Sequence, residues 1–540
     1  MLRLTDLKLP LDHAPADLRS AIMHRLGVAD ADLLDIVVFR RAVDARKKSA
    51  MTLVYTLDLQ LRDEAAVFAR LPSEQAIQPS PDTSYHFVPG PTTAPCNRPV
   101  VIGTGPCGLF AALILAQMGL RPIILERGKA VRPRTKDTWG LWRKSILNPE
   151  SNVQFGEGGA GTFSDGKLYS QIRDPQYRAR KVLTEFVKAG APEEILYVNR
   201  PHIGTFRLVT MVEAMRATIE ALGGGYRFQS KVTDFEIVVT DGRRRMAGLV
   251  LENGERLVAD HVVLAIGHSA RDTFQTLYDR GVYIEAKPFS IGFRIEHPQS
   301  LIDRARYGAH AGHKILGAAD YKLVYHCTNG RSVYSFCMCP GGTVVAASSE
   351  PGQVVTNGMS QYSRNERNAN AAIVVGITPD DYPGGPLAGV ALQRQWEERA
   401  FAAGGASYAA PGQRVGDFLA GRASTALDAV LPSYRPGVHP TDLSDCLPDY
   451  AIAAIREALP AFARQIPGFA MEDAVLTGVE TRTSSPIRIK RGVDFQSLNT
   501  IGLFPAGEGA GYAGGILSAG VDGIRVAEAL AGSMAGRCAA

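Results

Sequence analysis

The chain has 540 residues, of which 45% are hydrophobic, so it is long enough to bury more than one core and to form two or three structural units. Its formal net charge of +5 is small for this length and argues against a protein that coats nucleic acid. The seven cysteines are odd in number and scattered, which is not typical of a disulfide framework and indicates a reducing compartment.

Membrane and secretory patterns are absent from the sequence. The N-terminus does not read as a secretory signal, and the longest apolar run, "LFAALILAQMGL", is too short to cross a bilayer. We therefore expect a cytoplasmic protein that does not act at a membrane.

Residues 1–90 read as a small α+β domain. Two β-rich runs, "LLDIVVFRRAV" and "MTLVYTLDLQL", flank a basic turn, and a helical stretch precedes them. The Pro-, Ser- and Thr-rich stretch that follows predicts a linker, which we place at residues 91–98.

The most specific pattern is "RPVVIGTGPCGLFAALILAQMGLRPIILERG", in which a strand leads through a glycine turn into a helix and a second strand. Gly103 allows the tight turn, Gly105 lets the backbone approach a pyrophosphate, and Gly108 lets the helix pack closely on the strand. We expect the helix over residues 109–118, with its N-terminus toward the phosphates.

An acid at the end of the second strand narrows the choice of nucleotide. Glu126 lies 23 residues after Gly103, and we predict that Glu126 and the following residue, Arg127, both contact the cofactor. A carboxylate at this position accepts hydrogen bonds from a ribose diol and repels a 2′-phosphate, so it favours FAD or NAD over NADP.

The end of the chain distinguishes FAD from NAD. In "NTIGLFPAGEGAGYAGGILSAGVDGIRVAEAL" we expect a strand ending at Phe504, a glycine-rich turn, and a helix from Ile516 to Leu530. FAD carries a ribityl chain and an isoalloxazine, and therefore needs such a second contact segment. Glu508, next to Gly507, is placed to bind ribityl hydroxyls, and the amides of Gly514 and Gly515 at the helix start are placed to face the flavin.

Further contacts to FAD are predicted between these two segments. The loop "NVQFGEGGAGTFSDGKL" offers glycine amides to the pyrophosphate and ribityl chain, and Ser164 and Lys167 lie either near the flavin N5 or in a solvated loop. The predicted cofactor contacts of the loop and of the later strands are Gly158, Gly159, Gly161, Val232 (to the adenine) and Gly267 (in the "LAIGHS" turn).

The combination of "ERGKAVRPRTKDTWGLWRKSILNPESNVQFGEGGAGTFSDGKL", "SFCMCPGG", "VETRTSSPIRI" and "FPAGEGAGYAGGILSAGVDG" resembles the uncharacterised FAD-dependent dehydrogenases, within the glutathione-reductase-type flavoproteins. The resemblance extends over essentially the whole chain. It implies the fold and FAD, but it implies no substrate.

The fold class expected from these patterns is α/β. We predict an FAD-binding, Rossmann-like, doubly wound parallel sheet in two parts, residues 99–287 and 481–540, together with the small N-terminal α+β domain. Residues 288–480 are predicted to form an inserted mixed α+β domain that supplies the substrate-facing sheet.

The stretch "SFCMCPGG" places Cys337 and Cys339 one residue apart. In a regular strand both would point to one face, with Met338 opposite, and would either line the substrate pocket or fill the core. A disulfide reductase of this fold would carry a CxxxxC pair after the first helix, but residues 120–165 contain no cysteine. Zinc is disfavoured because four ligands are not at hand, so we expect no metal.

The function predicted is an oxidoreductase that transfers hydride between a small organic substrate and the flavin N5, with NAD(P)H or another carrier completing the cycle. The catalytic candidates are Cys337, Cys339, Ser164 and Arg482, the last as either an anion-binding or a structural arginine. A flavin monooxygenase is one alternative. Another is an RNA-directed flavoprotein, whose only support is the basic turn of Arg40, Arg41, Arg46, Lys47 and Lys48, although we do not expect a nucleic-acid partner.

Overall fold

The computed structural model describes residues 1–70, 76–90, 97–427 and 429–538. Most of the predicted linker, residues 91–96, lies outside these ranges. None of the helices in the described ranges combines the length and the apolar character needed to cross a lipid bilayer.

The N-terminal unit is an antiparallel sheet covered by helices. Its elements are β1 (Leu2–Pro10), α1 (Pro15–Leu26), β2 (Leu33–Asp44), β3 (Thr52–Leu61), α2 (Glu64–Arg70) and β4 (Ile77–Pro79). The strand order is β2-β3-β1-β4. Alternate residues of β3, from Leu53 to Leu61, are buried in one core, which is the period of two expected for a sheet with one covered face.

The next elements begin the central domain. They are β5 (Val100–Ile102), α3 (Pro106–Gln117), β6 (Ile123–Leu125), α4 (Val131–Lys144), α5 (Arg178–Lys188), α6 (Thr205–Ala221), β7 (Gly225–Arg227), β8 (Val232–Thr240), β9 (Arg243–Leu251), β10 (Arg256–Val258), β11 (Val262–Leu264) and α7 (Arg271–Asp279).

The chain then builds a second sheet and returns. The elements are β12 (Ile284–Ala286), β13 (Phe289–Pro298), α8 (Gln299–Tyr307), β14 (Val324–His326), β15 (Ser332–Ala346), β16 (Thr356–Ser360), β17 (Asn368–Ile377), α9 (Ala388–Ala403), β18 (Ala410–Arg414), α10 (Val415–Ala420), β19 (Val438–Pro440), α11 (Asp449–Gln465), β20 (Val475–Glu480), β21 (Ile487–Ile489), β22 (Leu503–Pro505) and α12 (Ile516–Cys538).

The central domain is a five-stranded parallel sheet in the order β22-β11-β5-β6-β7. Helices α3, α5, α6 and α12 cover one face, and α7 with the three-stranded sheet β8-β9-β10 covers the other. Helices α3 and α12 approach closely at Gly523, where a Cβ atom would lie 2.2 Å from the Cys107 carbonyl oxygen. The last strand and helix of the chain therefore complete a domain that the residues near 100 began.

The inserted domain is a mixed sheet in the order β14-β15-β17-β13-β20-β18-β19, with β16 paired to β15. Strand β13 lies at its centre and is almost wholly buried. The predicted fold class, α/β with a Rossmann-like parallel sheet, an inserted mixed domain and a small N-terminal α+β domain, is confirmed. One face of the parallel sheet, however, is covered by a small sheet and one helix rather than by helices alone.

Two predicted helix boundaries differ from the structure. Helix α3 begins at Pro106, three residues before the predicted start, because proline is tolerated in the first turn where its missing N–H has no helical acceptor. Helix α12 continues past Leu530 to Cys538.

Candidate functional site

Three glycines, two in the turn after β5 and one in the first turn of α3, differ in how closely the chain packs around them. Gly103 has a φ of +94°, and a Cβ atom there would lie 2.4 Å from the Ala265 carbonyl oxygen. A Cβ atom on Gly108 would lie 1.9 Å from the Gly103 carbonyl oxygen. A Cβ atom on Gly105, in contrast, would have its nearest neighbour, Gly159 Cα, at an ordinary 3.8 Å. Packing within the chain thus requires glycine at 103 and 108 but leaves space beside Gly105.

This open space lies at a helix N-terminus. Gly105 is the N-cap of α3, so the first-turn N–H groups next to it have no acceptor within the helix. Free N–H groups and the positive end of the helix dipole together favour an anion. The turn fits the predicted pyrophosphate, with Gly105 keeping the approach clear.

A second glycine loop packs against this turn. The Gly158 amide donates to the Thr104 carbonyl oxygen at 2.9 Å, and a Cβ atom on Gly159 would lie 2.7 Å from Gly105 Cα. Both glycines have positive φ, +87° and +61°. The predicted loop therefore lies beside the predicted phosphate turn.

Arg134 on α4 holds the loop in place, although it was not among the residues predicted to form the site. Its guanidinium is fully buried and donates to the carbonyl oxygens of Asn152 and Val153, both at 2.8 Å, and of Glu157 at 2.6 Å. Burial lowers the pKa of Arg134 to about 10. Its only sequence signal was its place in the long motif that carries the family resemblance.

The Glu126 carboxylate is already saturated by the protein. One oxygen accepts from the Thr104 amide at 3.0 Å and the Thr104 hydroxyl at 2.5 Å, and the other accepts from the Gly128 and Gly156 amides at 2.9 and 3.0 Å. These four donors use the four lone-pair positions of a carboxylate. Glu126 therefore organises the turn, and a ribose hydroxyl would have to share or replace one of these donors.

Arg127 is committed to other side chains. It forms ion pairs with Glu150 at 2.7 Å and Asp272 at 2.9 Å, and Lys231 bridges the same two acids.

Two other predicted cofactor contacts, Val232 and Gly267, lie in packed parts of the chain. Val232 is buried at the start of β8. A Cβ atom on Gly509 would lie 2.4 Å from the Gly267 carbonyl oxygen, so the "LAIGHS" turn packs on the C-terminal segment.

Glu508 is the residue predicted to contact the ribityl chain, and its side chain differs from that of Glu126 in having no hydrogen-bond partner among the described residues. In the described part of the chain, its carboxyl makes no hydrogen bond or ion pair, although the residue is half-buried. Burial raises the pKa of Glu508 to about 7, with Lys287 opposing and Cys337 adding to the shift. Its neighbour Gly507 is held by Asp522, which accepts from the Gly507 amide at 2.8 Å. A half-buried acceptor without a donor is what the predicted ribityl contact requires.

The start of α12 is open and lies beside the glycine loop. A Cβ atom on Gly514 or Gly515 would have no other atom of the described chain within 4 Å. A Cβ atom on Gly161 would lie 3.1 Å from Ile516 Cγ1. The structure therefore brings together the phosphate turn, the glycine loop and the first turn of α12.

A groove of about 610 Å³ is lined by Gly514, at the start of α12, and by residues of the inserted sheet. Its walls include Phe289, Tyr334 and Phe336, with Ser290, Thr483 and Ser484 among the polar groups. The Ser290 and Tyr334 hydroxyls are 2.6 Å apart and hydrogen bonded. An aromatic wall with several hydroxyls suits a small organic molecule.

The sequence pattern predicted that Cys337 and Cys339 lie on a regular strand. In the structure the strand is irregular at this pair. Cys337 has a φ of +44°, and the pairing of β15 with β17 shifts by one residue between Phe336 and Cys339. Arg294 donates to the Cys337 carbonyl oxygen at 2.9 Å, and Lys167 donates to the carbonyl oxygen of Met338. This is a β-bulge held by two cations.

Lys167 and Ser164 lie in a structured segment rather than in a solvated loop. Lys167 pairs with the buried carboxylate of Asp165 at 3.4 Å. The Ser164 hydroxyl donates to the Gly161 carbonyl oxygen at 2.7 Å and accepts from the Gly166 amide at 3.0 Å, which closes a turn. The serine therefore supports the loop, while Lys167 joins it to the cysteine bulge.

Arg482 is buried and paired. Its guanidinium forms an ion pair with Glu397 at 2.7 Å and donates to the hydroxyls of Ser349 at 2.6 Å and Ser269 at 3.1 Å. Glu397 also pairs with Arg271 at 2.6 Å. These contacts favour the structural alternative that the sequence left open over the anion-binding one.

Family comparisons cover the inserted and N-terminal domains. A family model described as "FAD-dependent protein, C-terminal domain-like" matches residues 288–483, and a domain of unknown function, DUF8436, matches residues 1–60. A Clostridium beijerinckii protein described as uncharacterized is 45% identical over 529 residues, which is 98% of each chain.

Solved structures resemble the chain more distantly. Glycine oxidase from Geobacillus kaustophilus is 11% identical over 80% of this chain and 94% of its own, with a TM-score of 0.35. A geranylgeranyl bacteriochlorophyll reductase-like protein from Thermoplasma acidophilum is 12% identical over 81% of this chain and 78% of its own, with a TM-score of 0.34. At these scores, neither structure supports an inference about the site.

Proposed function

The chain belongs to the family of FAD-dependent proteins that carry this C-terminal domain, and from that premise we propose that it is an oxidoreductase that transfers hydride between a small organic substrate and the N5 atom of bound FAD. NAD(P)H or another carrier completes the cycle. Bound FAD would supply the two-electron acceptor at this site.

The proposal rests on the Glu508 carboxyl, which is half-buried and has no partner in the described part of the chain. A carboxylate has about four acceptor positions, and those of Glu508 are not used by the described chain, so they are free to accept hydrogen bonds from a ligand. Ribityl hydroxyls can donate these hydrogen bonds. The glycine turn before α3, where first-turn amides lack acceptors, is placed to bind the pyrophosphate of the same molecule.

The groove gives the substrate a place next to the flavin. Because Gly514, at the start of α12, is one of its lining residues, a molecule lying on Phe289, Tyr334 and Phe336 would be close to the predicted isoalloxazine position. The α12 N-terminus would stabilise negative charge that develops on the flavin during reduction. The hydroxyls of Ser290, Tyr334 and Thr483 would orient the substrate.

The role of Glu508 is tested by replacing it with glutamine, which keeps its size and removes its charge. At pH 8, above its raised pKa of about 7, the Glu508 carboxyl is ionised. Losing a charged acceptor costs about 1.5–3 kcal/mol, so we expect Glu508→Gln to raise the Kd for FAD more than tenfold at this pH. Isothermal titration of flavin-stripped protein gives the Kd, and heat release followed by chromatography identifies the flavin. Glu398→Gln, at an exposed acid on α9, is the control and should bind FAD as the wild type does.

Two results would contradict the proposal. One is a protein that purifies without flavin and cannot be reconstituted with FAD. The other is flavin-loaded protein that is not reduced anaerobically by NADH, NADPH or any organic donor supplied in the groove's size range. Reduction that proceeds only with oxygen incorporated into the product would favour the monooxygenase alternative.

A further inference from the structure

Lys287, between β12 and β13, lies at one edge of the groove. Its ammonium is 3.4 Å from the Pro288 carbonyl oxygen and 3.4 Å from the Ser484 hydroxyl, and both of these residues line the groove. The stem of the lysine packs near Gly511, where a Cβ atom would lie 3.2 Å from Lys287 Cδ. The Gly511 amide donates to the Glu508 carbonyl oxygen at 2.9 Å. Lys287 therefore lies between the groove and the C-terminal segment that carries Glu508.

The charge of Lys287 is not compensated by an ion pair with any described residue. The side chain is half-buried, and its two hydrogen bonds are long and go to uncharged oxygens. Burial and the charge of Arg488 lower the pKa of Lys287, while Glu508 opposes the shift. Glu508 is itself only partly ionised near neutral pH, since its pKa is about 7, and Glu285 pairs with Lys490 at 2.9 Å. An anionic ligand would supply the partner that this ammonium lacks.

Arg488 on β21 adds a second positive charge close to Lys287. Its guanidinium forms no ion pair within the described part of the chain, and its hydrogen bond to the Gly511 carbonyl oxygen is 3.4 Å long. The Nε atom of Arg488 is buried without an acceptor, and the guanidinium lies 5.4 Å from the centre of the Tyr512 ring. The two cations around Gly511 thus leave net positive charge beside the groove.

The lining of the groove adds no free charge of its own. Arg331 is the one charged lining residue, and Asp381 accepts from it through both oxygens, at 2.7 and 2.5 Å. The Ser484 hydroxyl accepts from Lys287, and its own proton has no acceptor among the described residues. An ammonium and an O–H donor therefore lie side by side at one edge of an otherwise uncharged groove.

We propose that the groove binds a small organic carboxylate, with the carboxylate group on Lys287 and the Ser484 hydroxyl and the apolar part on the wall of Phe289, Tyr334 and Phe336. This inference names the substrate class of the oxidoreductase and rests on the proposed function. One ammonium and one hydroxyl match the single charge and two oxygens of a carboxylate. Hydrogen bonds between ionised groups are roughly twice as strong as neutral ones, so the charged end of the substrate provides the selectivity.

The test compares acids with their amides in FAD-loaded, full-length protein. The probes are phenylacetate, 3-phenylpropionate and hexanoate, each beside its primary amide, which keeps the shape of the acid but carries no charge. Isothermal titration at pH 7 gives the Kd of each probe without relying on turnover. We expect at least one acid to bind about tenfold or more tightly than its amide.

Replacing the lysine assigns this preference to its charge. Lys287→Gln should remove the preference for the acid and leave the Kd of the amide unchanged, while Lys287→Arg should retain the preference. Lys322→Gln, at an exposed lysine of the same domain, is the control and should keep the wild-type ratio. Because acid and amide are compared within one variant, a general change in the groove affects both and cancels in the ratio.

Three results would overturn the proposal: equal Kd values for every acid and its amide in the wild type, no binding of any acid at millimolar concentration, or a preference that survives in Lys287→Gln. Tighter binding of phenyl phosphate than of phenylacetate would also overturn it, since the site would then be built for a phosphate. The proposed function fails separately, if the protein cannot be loaded with FAD. In that case the same titrations on the protein as purified still show whether the groove selects a carboxylate.

Discussion

At the residue scale, Gly105 and Gly108 are one helical turn apart and are glycine for different reasons. A methyl group at 108 would collide with the Gly103 carbonyl oxygen, whereas one at 105 would meet only open space and Gly159. We expect Gly108→Ala to destabilise the flavin-free protein by about 1–3 kcal/mol, the usual cost of overpacking. Gly105→Ala should leave that stability unchanged but raise the Kd for FAD about tenfold or more, because the methyl group occupies the approach to the helix N-terminus.

Thermal unfolding of flavin-free protein and FAD titration give the two quantities. Gly385→Ala is the control, since Gly385 is exposed, lacks a positive φ and has no atom within 4 Å of a built Cβ. Unchanged FAD affinity in Gly105→Ala would mean that the pyrophosphate does not lie at this turn.

At the scale of elements, a buried charge network joins α7, α9 and the segment after β20. Glu397 on α9 accepts from Arg271 at 2.6 Å and from Arg482 at 2.7 Å, and all three side chains are almost fully buried. Although burial opposes ionisation, the two arginines lower the pKa of Glu397 to about 2. The acid is therefore ionised in the folded state at a pH where an unfolded glutamate is already protonated.

This difference predicts a dependence of stability on pH. A carboxyl whose pKa falls on folding contributes stability above its unfolded pKa, near 4.3, and loses it as the pH drops toward 2. We expect Glu397 to contribute about 3 kcal/mol of this acid sensitivity. Glu397→Gln should lower the Tm at pH 7 and flatten its fall between pH 4.5 and 2. Glu398→Gln, the exposed neighbour, should reproduce the wild-type curve, and an unflattened curve in Glu397→Gln would contradict the prediction.

The elements of the parallel sheet could be predicted because their signals are local. The run from residue 99 to Glu126 carries strand, glycine turn, helix and strand in order, and the collisions at Gly103 and Gly108 explain why glycine is needed there. The bulge at Cys337 could not be predicted, because it depends on how β15 pairs with β17 and on Arg294 and Lys167 from distant segments. Buried arginines such as Arg134 look like surface residues until their acceptors are known.

At the scale of the whole molecule, the basic turn of the N-terminal unit faces the rest of the chain. The Arg41 amide donates to the Tyr197 carbonyl oxygen at 2.6 Å, and the Asn199 amide donates back to Arg41 at 2.9 Å. The side chain of Arg40 donates to Asn199, and Lys48 donates to the Ala305 carbonyl oxygen at 2.7 Å. The Arg41 guanidinium lies over the Tyr197 ring, 5.3 Å from its centre. Three of the five basic residues that supported an RNA-binding hypothesis therefore contact the central and inserted domains.

The two remaining cations give the last prediction. Arg46 and Lys47 are exposed, and Arg46 pairs with Asp44 at 2.5 Å, so little uncompensated charge is left for a phosphate backbone. We expect negligible RNA binding by the wild type and by Arg46→Glu/Lys47→Glu, and unchanged flavin content in both. The control reverses two exposed lysines elsewhere, Lys136→Glu/Lys314→Glu. Electrostatic binding to RNA weakens steeply with salt, so filter binding over a salt series is the measurement. A salt-dependent complex that only the first variant loses would establish the basic turn as an RNA contact and revive the alternative function.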